Sequence, residues 1–185
     1  KQLVRQSIHT LILGLSKPIP STTILLFRII FASILLIQTY YFFINGFIEK
    51  NILKPMILFP FISGLEPLSK ANLHIISYIM AISNIGMFFN RIARLATVFF
   101  LICFTYFWLL DKGYFNNHYY FISIICFLLA LTESKSTFSQ ISLIPKFHLF
   151  ALQGTIFLVY FISGLNKINS YWIIELQPMQ HILET

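Results

Sequence analysis

Long apolar runs with very few charges place the strongest limit on how this chain can fold. Of its 185 residues, 57% are hydrophobic and 10% are charged, whereas a soluble domain carries about 25% charged residues. One helical crossing of a bilayer needs about 20 apolar residues. Five runs approach or reach this length: 24–44, 73–89, 92–110, 119–131 and 147–165. The sequence therefore predicts an all-α fold, a polytopic transmembrane helix bundle with about five spans.

The distribution of charge excludes a nucleic-acid partner and favours the lipid bilayer. The net charge is +7, but Lys and Arg occur singly or in pairs at the ends of apolar runs, as in membrane proteins. Nucleic-acid binding needs cations clustered on one face. Cys103 and Cys126 lie inside apolar runs without a CxxC spacing, which favours buried core positions. Neither zinc-ligand spacing nor paired histidines inside facing helices are present, so no metal and no haem are expected.

Two segments lie outside the apolar runs. Residues 1–23 end in "KPIPS", which should break a helix, and the preceding "LVRQSIHTLILGL" is predicted to be an amphipathic helix at the interface. The connection 45–72 contains three prolines and is predicted to lie on the membrane interface or dip into it. With the N-terminus inside, seven cations fall on the cytoplasmic side and five outside. This positive-inside bias predicts a cytoplasmic N-terminus.

Two polar stretches follow apolar runs. They are "FWLLDKGYFNNHYYF" (107–121), after the third run, and "FISGLNKINSYW" (161–172), after the fifth. Because two crossings separate the stretches, both emerge on the same membrane face in either orientation of the chain. We therefore expect His118, Asn117 and Lys167 to line one cavity on the face opposite the N-terminus.

The residues of these stretches allow two interpretations. Lys167 either extends its ammonium to the lipid headgroups, or lies in an apolar pocket where desolvation favours the neutral amine, a general base. His118 is either an ordinary interfacial side chain or, with Asn116 and Asn117, part of a polar cluster. Such a cluster can orient a polar head group or stabilise charge that develops on an oxygen.

Four segments carry a resemblance to a known family. In chain order they are "LFRIIF" (26–31), "GMFFNRIARLATVFF" (86–100), the LLDK-x-x-x-NNH pattern within 107–121, and "VYFISGLNKINSYW" (159–172). Together they resemble the vitamin K-dependent gamma-glutamyl carboxylase family, which contains the horizontally transferred transmembrane (HTTM) domain. The resemblance runs from about residue 24 to residue 179 and implies an HTTM-like transmembrane domain at 24–185, part of a longer bundle.

The resemblance implies a quinol-linked integral membrane enzyme, a lyase. In the family a lysine deprotonates vitamin K hydroquinone, oxygen converts the quinol to a strong base, and this base removes the gamma proton of a protein glutamate, which takes up carbon dioxide. That lysine matches Lys167, and the functionally important histidine matches His118. An apolar bundle suits a prenylated quinone and excludes water from the base. The implied quinone-binding residues are Asn117, Asn116, Asp111, Lys112 and Trp172.

Alternatives remain open at the level of residues and of function. Phe115 replaces a tryptophan of the animal members, Asn166 replaces a lysine, and Asp111 and Lys112 could simply pair with each other. The chain could also be a non-catalytic integral subunit of a larger membrane assembly, or a DoxX-like quinone-binding or electron-transfer subunit. The expected partners are correspondingly a protein glutamate substrate or a membrane complex.

Residue usage also bears on the source and the cofactor. The abundance of Ile, Lys, Asn and Phe is typical of an AT-rich bacterial genome. We therefore expect menaquinol rather than vitamin K hydroquinone as the reduced quinone, and the bacterial cytoplasmic (inner) membrane as the location.

Overall fold

The computed structural model describes residues 10, 12–55, 57–114, 117–132, 141–168 and 172. Helices dominate the described chain, so the predicted all-α class is confirmed. The helices are α1 (Thr22–Ile44), α2 (Lys70–Gly86), α3 (Ala93–Leu109), α4 (Asn117–Leu131) and α5 (Lys146–Asn166). A π-helical turn (Ile48–Leu53) and a 3-10 turn (Lys112–Tyr114) lie between them, and two short strands, β1 (Pro18–Pro20) and β2 (Leu143–Pro145), form a ribbon.

The apolar runs predicted these helices with ends correct to within three residues. Two helices, α1 and α5, are long and apolar enough to cross a membrane, and α3 and α4 are shorter apolar helices. The larger prediction of five spans stays a prediction. Residues 87–92 form the turn between α2 and α3. The sequence predicts this tight turn at 90–94, so the observed turn begins three residues and ends two residues before the predicted one.

The chain divides into two compact units, Lys1–His148 and Leu149–Thr185. The first unit contains α1 to α4 and the ribbon, and the second contains most of α5. The predicted division after residue 23 stays a prediction. Residues 12–16 are helical and are followed by a bend and β1, as the prolines of "KPIPS" require, but most of the predicted amphipathic helix lies outside the described residues.

The core of the first unit forms where α3 packs between α2 and α4. Met80, Phe100 and Cys126 are among its buried side chains. The helices α2 and α3 approach closely at Gly86, because a Cβ atom placed there would lie 2.8 Å from the Cβ atom of Ala96. Small residues permit such close helix contacts in membranes. Both cysteines are buried, as predicted, and both are free.

The ribbon closes the end of the first unit at which α1 begins, which we call the ribbon end. Ile19 pairs with Ile144, and Ser21 donates its backbone amide to the carbonyl oxygen of Ser142 at 3.0 Å. Two cationic side chains also connect elements here. Arg28 of α1 donates to the side-chain oxygen of Asn90, and Arg94 Nε donates to the carbonyl oxygen of Ala130 at 2.9 Å, near the end of α4.

The long connection between α1 and α2 folds back over the other end of the unit, where α1 ends, which we call the cavity end. The backbone amide of Phe61 donates to the carbonyl oxygen of Leu109 at 3.0 Å. The backbone amide of Lys112 donates to the carbonyl oxygen of Phe59 at 2.7 Å. These bonds hold the connection against the end of α3. The connection therefore covers the part of the unit from which α4 and its polar first turn begin.

Candidate functional site

Asp111 and Lys112 fasten the connection to the end of α3 rather than pairing with each other. The buried Asp111 carboxylate accepts hydrogen bonds at Oδ1 from the backbone amides of Gly113, at 2.9 Å, and Phe59, at 3.4 Å. The ammonium of Lys112 lies over the ring of Phe61, 5.8 Å from its centre, within the range of a cation–π contact. The interpretation of an Asp111–Lys112 ion pair is therefore wrong. The predicted role of both residues in binding a quinone stays a prediction.

His118 and Asn117 lie on the first turn of α4 and are exposed. The structure thus places both residues at the cavity end of the first unit, on an ordered helix. Asn116, the other amide of this predicted cluster, lies outside the described residues. Helix α4 begins at Asn117 itself, so the two side chains project from a rigid element rather than from a loop.

Lys167 follows the end of α5 in the second unit and is exposed. Its Nζ atom lies 4.9 Å from the centre of the Trp172 ring, over its face. Such a contact fixes a flexible ammonium without a carboxylate partner. The structure therefore joins two of the predicted site residues. The predicted meeting of Lys167 with His118 stays a prediction, because the two residues belong to different units.

A cavity of about 280 Å³ lies at the cavity end of the first unit. It is bounded by α1, α2, α3, the π-helical turn and the first turns of α4. Its apolar wall consists of Phe42, Phe47, Met80, Phe100, Phe104, Phe107 and Trp108. Its polar groups are Gln38, Thr39, Tyr41, Asn45, Asn51 and Tyr119. Its lining among the described residues thus offers neutral amides and hydroxyls and no Asp, Glu, Lys or Arg.

The aromatic wall is a continuous set of ring contacts. Phe42 stacks on Phe47 at 4.6 Å between ring centres and lies 5.0 Å from Phe107. On the other side, the edge of one ring meets the face of the other between Phe104 and Tyr119 at 5.5 Å. Tyr119 directly follows His118 in the chain, so this contact attaches the polar start of α4 to the cavity wall. An apolar, aromatic cavity with a few neutral donors suits a flat ring that bears oxygen substituents.

A carboxylate and a histidine that sequence analysis did not select meet at the same end. Glu49 of the π-helical turn lies with its Oε1 atom 3.0 Å from His74 Nε2 and 3.6 Å from Lys70 Nζ, both near the start of α2. The pKa of Glu49 is lowered, first by a hydrogen bond from its own backbone amide and, against an opposing effect of desolvation, by the charge and hydrogen bond of His74 and the charge of Lys70. The sequence signal that could have drawn attention to them is Glu49, one of two acids in the connection 45–72.

Metal chemistry has no obvious location in the part of the chain that the structure describes. Within it, no group of three or more His, Cys, Asp or Glu residues is placed to hold a metal ion. Beside the cavity, hydroxyls and an indole make polar contacts between α3 and α4. Ser123 Oγ lies 3.2 Å from Thr105 Oγ1 and accepts a hydrogen bond from Trp108 Nε1 at 3.2 Å. This bond orients one ring of the cavity wall.

A known domain family matches most of the chain. Residues 16–185 match the HTTM domain, a transmembrane domain that is found in the vitamin K-dependent carboxylase family. The match begins before β1 and includes all five helices. No solved structure matches the chain.

Proposed function

This chain belongs to the HTTM domain family. We propose that it is a quinol-linked membrane enzyme and that its cavity receives the ring of a reduced quinone. The observation that carries the proposal is the aromatic cavity of about 280 Å³ at the end of the unit that also bears His118. A cavity near this volume accepts a small ring system, and the prenyl tail of a quinone can extend into lipid. Menaquinol in a bacterial cytoplasmic membrane is the proposed substrate.

The neutral lining supports a quinone rather than a charged ligand. Asn45 and Asn51 offer amide groups at the turn, and Tyr119 offers a hydroxyl on α4. Amides and phenols donate hydrogen bonds to quinone oxygens and accept them from quinol hydroxyls. Because no cation or carboxylate among the described residues lines the cavity, an anionic or cationic ligand would lose its hydration without gaining a charged partner.

Lys167 is the proposed base, and His118 and Asn117 are the proposed polar groups around the reacting oxygen. In this scheme the Lys167 amine accepts a proton from the quinol hydroxyl, and the histidine and amide stabilise the negative charge left on oxygen. By analogy with the family, reaction of the quinol with oxygen then supplies a strong base that removes the gamma proton of a protein glutamate, which takes up carbon dioxide. The sequence predicts that Lys167 and His118 emerge on the same membrane face, and this prediction supports the assignment.

Quinone binding is testable through Trp108, which lies in the cavity wall. The chain contains two tryptophans, so Trp172→Phe leaves Trp108 as the single indole. In lipid nanodiscs, a menaquinone with a short tail should quench this fluorescence in a saturable way. Phe104→Ala should weaken the effect, because it removes a ring of the wall. The corresponding change at an outward position of the same helix, Phe99→Ala, is the matched control, since Phe99 is exposed on α3 and does not line the cavity. Absence of saturable quenching in both the Trp172→Phe variant and the unmodified protein would contradict the proposal.

Substitution of Lys167 separates an enzyme from a binding subunit. Lys167→Arg keeps the charge and much of the length, but arginine stays protonated and cannot act as a base. Quinol oxidation by this variant should fall by at least about 100-fold while quinone binding persists. Full activity of the variant would contradict the catalytic assignment. Binding without turnover in the unmodified protein would instead identify a quinone-binding or non-catalytic subunit.

A further inference from the structure

We propose that Glu49, together with His74 and Lys70, positions one wall of the cavity by holding the π-helical turn against α2. The two wall residues are Phe47 and Asn51, which stand on either side of Glu49 in the chain. The three charged or titratable residues are here called the Glu49 cluster. None of them lines the cavity, so their effect on a ligand passes through the turn.

The turn presents different faces to the cavity, the core and α2. Phe47 and Asn51 are four residues apart and line the cavity, while Ile48 and Ile52, also four apart, are buried in the core. Glu49 lies between these pairs and contacts α2 through His74 and Lys70. The turn is therefore attached to the bundle by apolar burial on one face and by the Glu49 cluster on another.

The backbone of the turn gives reason to expect that it needs such an attachment. It is entered through Gly46, whose φ of +62° lies in the left-handed region that favours glycine. It closes with a bond from the backbone amide of Lys54 to the carbonyl oxygen of Glu49 at 2.9 Å, a five-residue step. Isolated π-helical turns are rare and often occur at functional sites. A side-chain anchor at Glu49, inside the turn, fixes the direction in which Phe47 and Asn51 project.

The chemistry of the Glu49–His74 contact makes it a directional anchor. An ionised carboxylate only accepts hydrogen bonds, so His74 Nε2, 3.0 Å away, carries the proton. This contact persists whether the imidazole is neutral or protonated. The backbone of His74 is fixed in α2, where its carbonyl oxygen also accepts a hydrogen bond from Ser77 Oγ at 2.8 Å. The longer contact with Lys70, at 3.6 Å and more exposed, adds charge attraction with less direction.

A thiol introduced by Asn51→Cys reports the position of the turn without any ligand. The native Cys103 and Cys126 are buried, so the rate at which a maleimide modifies them reports opening of the whole unit. In this background, Glu49→Ala should raise the modification rate at position 51 about threefold, as expected for loss of a half-exposed ion pair. The rates at the two native cysteines should not change. The matched control is Glu66→Ala, which removes an exposed carboxylate from the same connection.

Variants of His74 distinguish a positioning contact from a general effect on the fold. His74→Gln retains a donor for the carboxylate and should keep the slow modification rate, whereas His74→Leu removes the donor and should match Glu49→Ala. An unchanged rate at position 51 in Glu49→Ala would overturn the proposal. An equal rise at Cys103 and Cys126 would also overturn it, because the effect would then be general unfolding.

The consequence for the ligand rests on the proposed function and is measured separately. With the native Asn51, Glu49→Ala should weaken menaquinone binding about threefold, while Glu66→Ala should leave it unchanged. If the thiol responds but no quinone binds even to the unmodified protein, the proposed function fails and the positioning role stands. If quinone binds and neither the thiol nor the affinity responds to Glu49→Ala, the positioning role fails alone.

Discussion

Among the described side chains, those that join elements at the ribbon end of the first unit include the hydroxyls of Ser21 and Ser142, the amide of Asn90 and two arginines, whereas carboxylates also join elements at the cavity end. Arg28 donates to Asn90 at the ribbon end, and Arg94 donates to a backbone carbonyl of α4. The described acids, by contrast, all belong to the cavity end. They are Glu49, Glu66 and Asp111.

The charges that join elements at the ribbon end are therefore permanent, whereas the carboxylates at the cavity end titrate. Arginine stays protonated at any ordinary pH, and hydroxyl and amide hydrogen bonds do not titrate. Carboxylates lose their charge in acid, and half-exposed ion pairs are also screened by salt. Acid and salt should therefore loosen the connection and the cavity wall while the ribbon and the α2–α3 turn stay intact. The four predictions below test this contrast, in order of decreasing effect.

The largest effect is expected from Asn90→Leu at the ribbon end. Arg28 is buried, and its Nε atom already has no hydrogen-bond partner among the described residues. Removing the Asn90 acceptor leaves more of the buried cation unsatisfied and should lower the free energy of unfolding by about 2–3 kcal/mol. Arg28→Met removes the cation and should lower the free energy of unfolding by less than Asn90→Leu does. The double variant Arg28→Met with Asn90→Leu should also lose less than Asn90→Leu alone. Equal losses for Asn90→Leu and the double variant, measured by reversible unfolding in lipid, would contradict this account.

The next effect concerns Gly86, where α2 meets α3 near the ribbon end. A side chain at this position collides with Ala96, so Gly86→Val should lower the free energy of unfolding by about 1–3 kcal/mol. The additional variant Ala96→Gly removes the opposing methyl group and should restore part of the loss. Thermal unfolding of the two single variants and the double variant measures the coupling. Strictly additive losses would show that the two side chains do not collide.

A smaller effect is expected from Asp111→Ala at the cavity end. The carboxylate accepts hydrogen bonds from the amides of Gly113 and Phe59, so its loss should lower the free energy of unfolding by about 1 kcal/mol. Hydrogen exchange at these two amides should accelerate. Asp111→Asn keeps an acceptor oxygen and serves as the control, with exchange close to that of the unmodified protein. Unchanged exchange in Asp111→Ala would place the anchor of the connection elsewhere.

The smallest effect is the response of the turn to acid. Because the pKa of Glu49 is lowered in the folded protein, its ionised form stabilises the fold fully above the ordinary pKa of a glutamate. This contribution is lost as the pH falls through the lowered pKa. Modification of the thiol at Asn51→Cys should therefore accelerate in acid, relative to a free thiol compound, and Glu49→Gln should remove the acceleration. Lys50, Lys70, His74 and Tyr78 are the other titratable groups of the turn and of the facing part of α2. A persistent acceleration in Glu49→Gln would assign the effect to one of them.

The helices could be predicted from sequence because hydrocarbon favours long apolar segments whatever they pack against. Their ends could be predicted for a similar reason, because polar or charged residues occur where the apolar runs begin or end, as at Lys70, Asn90 and Lys146. The proline break before α1 was also readable locally. The pairing of β1 with β2 was not, because its partners are more than 120 residues apart in the chain and each strand has three residues.

The site was only partly predictable, because a motif indicates which residues matter but not what they contact. The LLDK-x-x-x-NNH pattern drew attention to Asp111. The backbone amide that donates to its carboxylate, that of Phe59, lies in the connection between α1 and α2. This connection has no periodic apolar pattern from which its path could be predicted. The contact of Glu49 with His74 depends on a π-helical turn, and no residue pattern specifies such a turn. The cavity likewise depends on the packing of rings from several helices, as between Phe42 and Phe107.

The register of the ribbon has a consequence for association between chains. Bonds at Lys17–Lys146 and Ser21–Ser142 alternate along the pair, so the amides at positions 18, 20, 143 and 145 point away from the partner strand. Three of these four positions are proline and carry no N–H group. The outer edges therefore lack most of the donors that a third strand would need. Two copies of this chain that meet during membrane insertion cannot readily join through these edges and aggregate.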